Sequence, residues 1–297
     1  MAKRIMPSRD ANLIVEEQLD QLLGKVAEVF DGDALTWSGP LLYGVDSVLR
    51  RVIESRRKVD NSRNLVIVLT TLGGMVEVVQ RMVETIRHHY DVVNFAIPDY
   101  AYSAGTVLAM SGDAIYMDYY SRLGPIDPQI ERGDRLVPAL GYCQRYDDLI
   151  KDSKERSLTD AELTVLIGGF DQAELYEFEQ ARELSITLLR DWLVRYKFKD
   201  WNITEARQLP VTPKQKKQRA RTIAKRLSNT ARWHSHTAGI SAQVLRDELK
   251  LKIDDLAGDK KEAVEDYQSL LEDYTTKRSH FGVVHMRGQY VPYHIHG

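Results

Sequence analysis

The strongest constraint on this chain is the run Leu65-Val66-Ile67-Val68-Leu69, which has no polar side and leads at once into Thr71-Leu72-Gly73-Gly74. An unbroken aliphatic, β-branched stretch of this length predicts a strand buried on both faces, and therefore a sheet with helices above and below it. From Val76 to His89 the apolar residues Val76, Val79, Met82, Val83 and Ile86 recur at helical spacing. Val92 to Ile97 reads as a second strand, Ala104 to Ser111 as a short helix, and Ala114 to Met117 as a third strand. The order is strand, Gly-Gly turn, helix, strand, serine, helix, strand.

Ser103 falls at the junction between the second strand and the short helix. A serine there has two readings. It can cap the helix, or it can expose its hydroxyl at the sheet edge while backbone N–H groups of Gly73 or Gly74 and of Ala104 face a developing oxyanion. The second reading is nucleophilic acyl transfer.

The stretch from about Leu65 to Gln129 resembles the ClpP/crotonase fold, and within it the serine dehydrogenase proteinases, soluble relatives of signal peptide peptidase. The resemblance rests on Gly73-Gly74, Ser103-Ala104-Gly105-Thr106, Gly112-Asp113-Ala114-Ile115-Tyr116-Met117 and Leu123-Gly124-Pro125-Ile126-Asp127-Pro128-Gln129. It implies an α/β core with a mostly parallel sheet flanked by helices, followed here by a helical C-terminal appendage. It also implies a serine peptidase that cleaves peptide bonds through Ser103, with an oxyanion hole drawn from Gly73, Gly74 and Ala104. Members of this fold assemble into rings, so a homo-oligomer is expected.

The general base is where this sequence departs from the pattern. Clp-type peptidases place a histidine on the loop after the serine helix, and that loop here has none from Arg122 to Asp127. Signal peptide peptidases use a lysine near the start of a later helix, and Asp171 to Gln180 contains no lysine. His236 is the preferred substitute, because neutral imidazole titrates near neutrality whereas a lysine must be depressed by burial. His234, Lys151, Lys154 and a residue of a neighbouring subunit stay open, and Tyr176 is a poor base unless strongly perturbed. His236 could equally pack a local turn beside Trp233. Asp127 is either a loop-fixing carboxylate or a group that orients the base. The missing base also supports a rival reading, a catalytically silent protease-like module that binds a protein or nucleic acid. A crotonase-like acyl-CoA enzyme is a more distant third.

Elsewhere, Ala11 to Phe30 reads as an amphipathic helix, Leu35-Thr36-Trp37 as an edge strand and Val45 to Glu54 as a helix. Glu131 to Leu136 reads as a charged turn, Tyr142 to Thr159 as a mobile insertion or surface helix, and Leu163 to Phe170 as a loop. Gln172 to Tyr196 is the longest helical pattern. Asn202 with Glu205 resembles a capping box, and Lys214 to Arg226 reads as a solvated basic helix face. Helices are also expected over Ser241 to Leu249 and Lys260 to Thr275. The expected division is an N-terminal segment, 1–61, packing on a core, 62–212, with the appendage at 213–297.

Composition narrows the partners. Among 297 residues the formal net charge is -2, which argues against a dominant nucleic-acid or anionic-membrane field. The one cysteine, Cys143, cannot form an intrachain disulfide. The chain has no secretory h-region and no run long enough to span a bilayer, so a cytoplasmic protein is expected. No Walker loop is present, no cofactor is expected, and His285, His294 and His296 lack the spacing of a metal site. Protein or peptide substrates are the expected partners, with an unidentified protein partner left open.

Overall fold

The structure, a computed structural model, describes residues 10–126, 129–132, 135–204, 208–233 and 239–293. Along the chain the first half runs α1 (Ala11–Val29), β1 (Asp33–Ser38), α2 (Val45–Arg56), β2 (Asn64–Thr70), α3 (Val76–His89), β3 (Val92–Ile97), β4 (Tyr100–Ala101), α4 (Ala104–Ala109), β5 (Ala114–Met117) and β6 (Arg122–Leu123). Next come β7 (Gln129–Arg132), β8 (Arg135–Pro138), α5 (Ala139–Glu155), α6 (Asp160–Gly168) and α7 (Gln172–Trp192), which continues as a π-turn over Leu193–Lys197. The remainder is α8 (Pro213–Leu227), α9 (Thr230–Trp233), β9 (Ile240–Ser241), α10 (Ala242–Asp247), β10 (Asp254–Asp255), α11 (Asp259–Arg278), β11 (Gly282–Met286) and β12 (Gln289–Tyr293).

A seven-stranded sheet in the order β10-β5-β3-β2-β1-β11-β12 forms the centre. The strands from β10 through β1 are parallel to their neighbours, whereas β11 joins β1 antiparallel and β12 joins β11 antiparallel. The mostly parallel α/β fold read from the sequence is therefore the fold of the chain.

The aliphatic run of β2 serves both faces, as the alternation of side chains along a strand requires. Leu65, Ile67 and Leu69 point into a core shared with α2, α3, α4, α7 and α8. Val66 and Val68 point to the opposite core, against Leu19, Leu23 and Val26 of α1 and Val264, Tyr267 and Leu271 of α11.

Several expectations are corrected. The strand around Trp37 is interior, because β11 returns from the C-terminus to cover the side that β2 leaves open. Of the expected charged turn over 131–136, Glu131, Arg132, Arg135 and Leu136 are paired strand residues of β7 and β8, and 133–134 lie outside the described residues. The expected loop over 163–170 is mostly helix α6, started by a capping box in which Thr159 and Glu162 bond each other's backbone N–H. The basic face of α8 is solvated as expected, but its other face, Ala220, Ile223, Ala224 and Leu227, is buried in the main core. Glu205 of the expected capping box lies outside the described residues. The C-terminal third is helical, and it also supplies β10, β11 and β12 to both edges of the sheet.

At the amino ends of the parallel strands, Asp113 accepts two hydrogen bonds and forms an ion pair with Lys199. Arg87 Nη1 and the Val93 N–H each lie 2.8 Å from its Oδ2, and Lys199 Nζ lies 2.5 Å from Oδ1. Arg87 also stacks 3.8 Å above the Tyr196 ring. Burial alone would raise the Asp113 pKa, but the Lys199, Val93 and Arg87 interactions outweigh it and hold the carboxyl below its ordinary value.

Arg87→Ala leaves this carboxylate buried without its inner partner, and is expected to cost about 3 kcal/mol in urea denaturation. Because the folded carboxyl ionises below the ordinary 3.8, its contribution is complete above that pH and drains away as the pH falls below it. In Asp113→Asn, that acid-limb dependence should be missing.

Candidate active site

The site is built where β3 ends. After Ile97 the chain makes the two-residue strand β4, which pairs in parallel with β6, and β6 pairs antiparallel with β9. β4 is also stitched to the end of β2: the Thr71 N–H donates to Tyr100 O at 3.0 Å and the Tyr102 N–H to Thr71 O at 2.9 Å. Ser103 follows directly and begins α4.

Ser103 sits at φ 50° and ψ −119°, a backbone conformation that disfavours any side chain. It makes no side-chain cap to α4, so the helix-capping reading gives no account of it. The strained turn is held by its neighbours. Thr106, fully buried, donates its hydroxyl to Ala101 O at 2.7 Å and accepts the Gly124 N–H at 2.9 Å, tying α4 to β4 and to the loop after β6. Gly73 passes so close that a Cβ there would lie 2.8 Å from both Ser103 Cβ and Tyr102 O, and its φ of 108° is left-handed as well.

Leu41 pins the Gly-Gly turn from the other side. Its N–H donates to Gly73 O at 2.9 Å and its carbonyl accepts the Met75 N–H at 2.8 Å. The expected oxyanion donors then divide. The Gly73 N–H is donated to Thr71 Oγ1 at 3.0 Å, whereas among the described residues neither the Gly74 nor the Ala104 N–H has an acceptor. Gly74, Ser103 and Ala104 line one cavity of about 500 Å³.

The walls of that cavity come from Met75, Val76, Val107, Ile126, Phe178 and Ala181, and its more polar part from Tyr43, Glu77, Glu174, Tyr176, Glu177 and Gln180. The first half of α7 thus covers the serine. This is the segment in which a lysine base was sought, and it presents glutamates instead. No lysine, arginine or histidine is among the described lining residues. Lys151 and Lys154 are exposed on α5. Lys197, whose pKa burial pushes down to about 8, donates to Asp113 O at 3.3 Å at the opposite end of the strands from Ser103. Asp127, His234 and His236 lie outside the described residues. His285 is fully buried between Tyr267 and Asp20, with Nδ1 2.8 Å from Tyr267 Oη and Nε2 2.9 Å from Asp20 Oδ1. Among the described residues there is no cluster suited to a metal ion, and no helix is long and apolar enough to cross a membrane.

A positive-φ serine at a strand-to-helix junction, lining one cavity with Gly74 and Ala104 on a mostly parallel α/β scaffold, is the arrangement that the resemblance to the ClpP/crotonase fold implies. Residues 44–164 match the family described as ClpP-like SDH-type serine proteinase. Two uncharacterized proteins of Methanocaldococcus jannaschii are similar: MJ1495 is 26% identical over 123 residues, spanning 41% of this chain and 41% of its own. MJ0137 is 29% identical over 79 residues, spanning 27% of this chain and 28% of its own. The chain therefore spans less than half the length of the curated relatives it matches. Among solved structures, an alanine-for-serine mutant of the 1510-N membrane-bound stomatin-specific protease aligns over 49% of this chain and 74% of its own, with 20% identity and a TM-score of 0.30. ClpP1 from Listeria monocytogenes aligns over 75% of this chain and 91% of its own, with 11% identity and a TM-score of 0.41.

The backbone at position 103 yields a stability prediction that needs no substrate. Ser103→Ala keeps the unfavourable φ, whereas Ser103→Gly relieves it at the cost of a more flexible unfolded chain. The glycine variant should be the more stable of the two by about 1 kcal/mol in urea denaturation.

Proposed function

We propose that this protein is a serine peptidase that hydrolyses peptide bonds through an acyl-enzyme on Ser103. The observation that carries the reading is the positive-φ serine at the head of α4, lining one cavity with two backbone N–H groups that have no acceptor among the described residues. In the first step Ser103 Oγ bonds to the substrate carbonyl carbon while its proton passes to the base. The carbonyl oxygen takes up negative charge against the Gly74 and Ala104 N–H groups. Collapse breaks the C–N bond, and the amine leaves with the proton returned by the base. A water molecule then attacks the ester by the same route, releasing the carboxylic acid and restoring the hydroxyl.

Gly73 has a different task in this scheme. Its missing side chain admits Ser103, and its hydrogen bond to Thr71 fixes the turn that aims the Gly74 N–H.

His236 is the base in this reading and Asp127 its orienting carboxylate. Support comes from strand pairing on either side of them. Ile240 lies opposite Leu123, which lies opposite Ala101, two residues before the serine. His236 is four residues before Ile240 and Asp127 four residues after Leu123. Because β6 and β9 are antiparallel, both segments leave the small sheet in the same direction, and four residues of chain reach at most about 14 Å.

Self-assembly and a cytoplasmic setting belong to the same reading. The first is supported by α6, which buries none of its residues and exposes Leu163, Val165 and Ile167. The alternative of a silent binding module draws on the absence of any basic group among the described lining residues.

A fluorophosphonate probe is expected to label the protein, with the adduct mapped to Ser103 by peptide mass spectrometry. Ser103→Ala should lower peptide turnover by about 10³-fold or more, and His236→Gln by about 10²-fold to 10⁴-fold. A folded protein that takes no label, with turnover the same in Ser103→Ala, sinks the peptidase reading in favour of the silent module.

A further inference from the structure

The cavity beside Ser103 has an uneven chemistry. Part of its lining is aliphatic and aromatic: Met75, Val76, Val107, Ile126, Phe178 and Ala181. Glu77 projects into the same cavity from the first turn of α3, and Glu177 from α7. Among the described residues neither carboxylate has a hydrogen-bond or ion-pair partner, and the nearest arginine on α3, Arg81, is engaged by Asp46 at 2.9 Å. Glu174 adds a third acidic side chain to the lining. The phenol of Tyr43 registers this field. Its pKa is raised by partial burial first, and then by the charges of Glu77 and Glu177.

A cavity that combines apolar walls with carboxylates is complementary to one kind of substrate side chain. Lysine and arginine carry an aliphatic stem that gains from apolar burial and a cationic head that needs an anionic or aqueous end. A neutral aliphatic side chain would pack on the apolar walls but leave the carboxylates unanswered, and an acidic one would be repelled. With the carbonyl carbon at Ser103 Oγ and its oxygen at the Gly74 and Ala104 N–H groups, a substituent on the adjacent α-carbon is within reach of this cavity, which Ser103 itself lines. We propose that the enzyme selects peptides with lysine or arginine on the acyl side of the scissile bond, and that Glu77 and Glu177 are the residues that read the positive charge. This rests on the peptidase reading of Ser103 and adds its substrate class.

The test uses the full-length protein and three serine-directed reagents: a plain alkyl fluorophosphonate, a lysyl diphenyl phosphonate and its norleucyl counterpart, which keeps the stem and lacks the charge. The lysyl reagent should modify Ser103 faster than the norleucyl one by about fivefold or more at low ionic strength, the difference shrinking as salt is raised. In Glu77→Gln with Glu177→Gln the ratio of the two rates should fall toward one. A ratio cancels any general loss of reactivity in the variant. Labelling by the alkyl fluorophosphonate without lysyl preference overturns the specificity and leaves the peptidase reading standing, as does a preference that survives the double substitution. A folded protein whose Ser103 reacts with none of the three overturns both.

Discussion

The structure depends on the contact between two backbone turns, Thr71 to Gly74 at the end of β2 and Tyr100 to Ser103 beyond β3. Two backbone hydrogen bonds join Thr71 to Tyr100 and Tyr102. The turns can come this close only because position 73 has no side chain. The geometry at Ser103 is costly by itself, and a residue in such a conformation persists where its surroundings over-determine it. Here they do so three times, through the Thr71 pairing, the Thr106 hydroxyl bridge and the Leu41 clamp on the Gly-Gly turn. The result is a serine and two neighbouring backbone N–H groups whose placement is tied to the sheet, which under the proposed peptidase reading leaves little reorganisation to be made when charge develops.

What was legible in the sequence follows the range of the interactions involved. The aliphatic run of β2 and the helical spacing of α3 are local patterns, and both elements form where those patterns lie. The place of the Trp37 strand was misjudged because its cover, β11, comes from more than two hundred residues further on, and nothing near Trp37 reports it. Helix α6 was missed because glycines at its end were weighed above the Thr159 and Glu162 capping box at its start. At the site, the Ser-Ala-Gly-Thr string pointed to the serine, but the different tasks of Gly73 and Gly74 depend on which N–H the Thr71 hydroxyl captures. The glutamates of the cavity carried no signal at all. Glu77 reads as one polar position of an amphipathic helix, and only the packing of α7 over α3 brings Glu177 to the same cavity.

The C-terminal third changes the meaning of the core. A chain ending near Pro210 would leave β5 exposed at one sheet edge and β1 at the other, with the face carrying Val66 and Val68 lacking α11. An unpaired edge and an uncovered apolar face are both costly in water. β10 covers β5, β11 covers β1, and Tyr267 and Leu271 close the open face against α1. The same third also supplies β9, which pairs with the strand next to the serine. Completing the sheet and completing the neighbourhood of the site thus draw on the same stretch of chain.

The acidic lining also bears on which base can serve Ser103. A lysine base must be neutral near neutral pH, and nearby carboxylates act against that by stabilising its ammonium form. An imidazole is asked for the opposite: it starts neutral and gains a proton in the transition state, where an anionic neighbour lowers the cost of the imidazolium. Glu77 and Glu177 in the cavity of Ser103 therefore weigh against the lysine arrangement of signal peptide peptidases and toward a histidine. The departure of α7 from that lysine pattern then has a physical reading. With glutamates among the residues that line the cavity of Ser103, a positive charge there, on a substrate or on a base of the proposed peptidase, is favoured, and a neutral lysine is disfavoured.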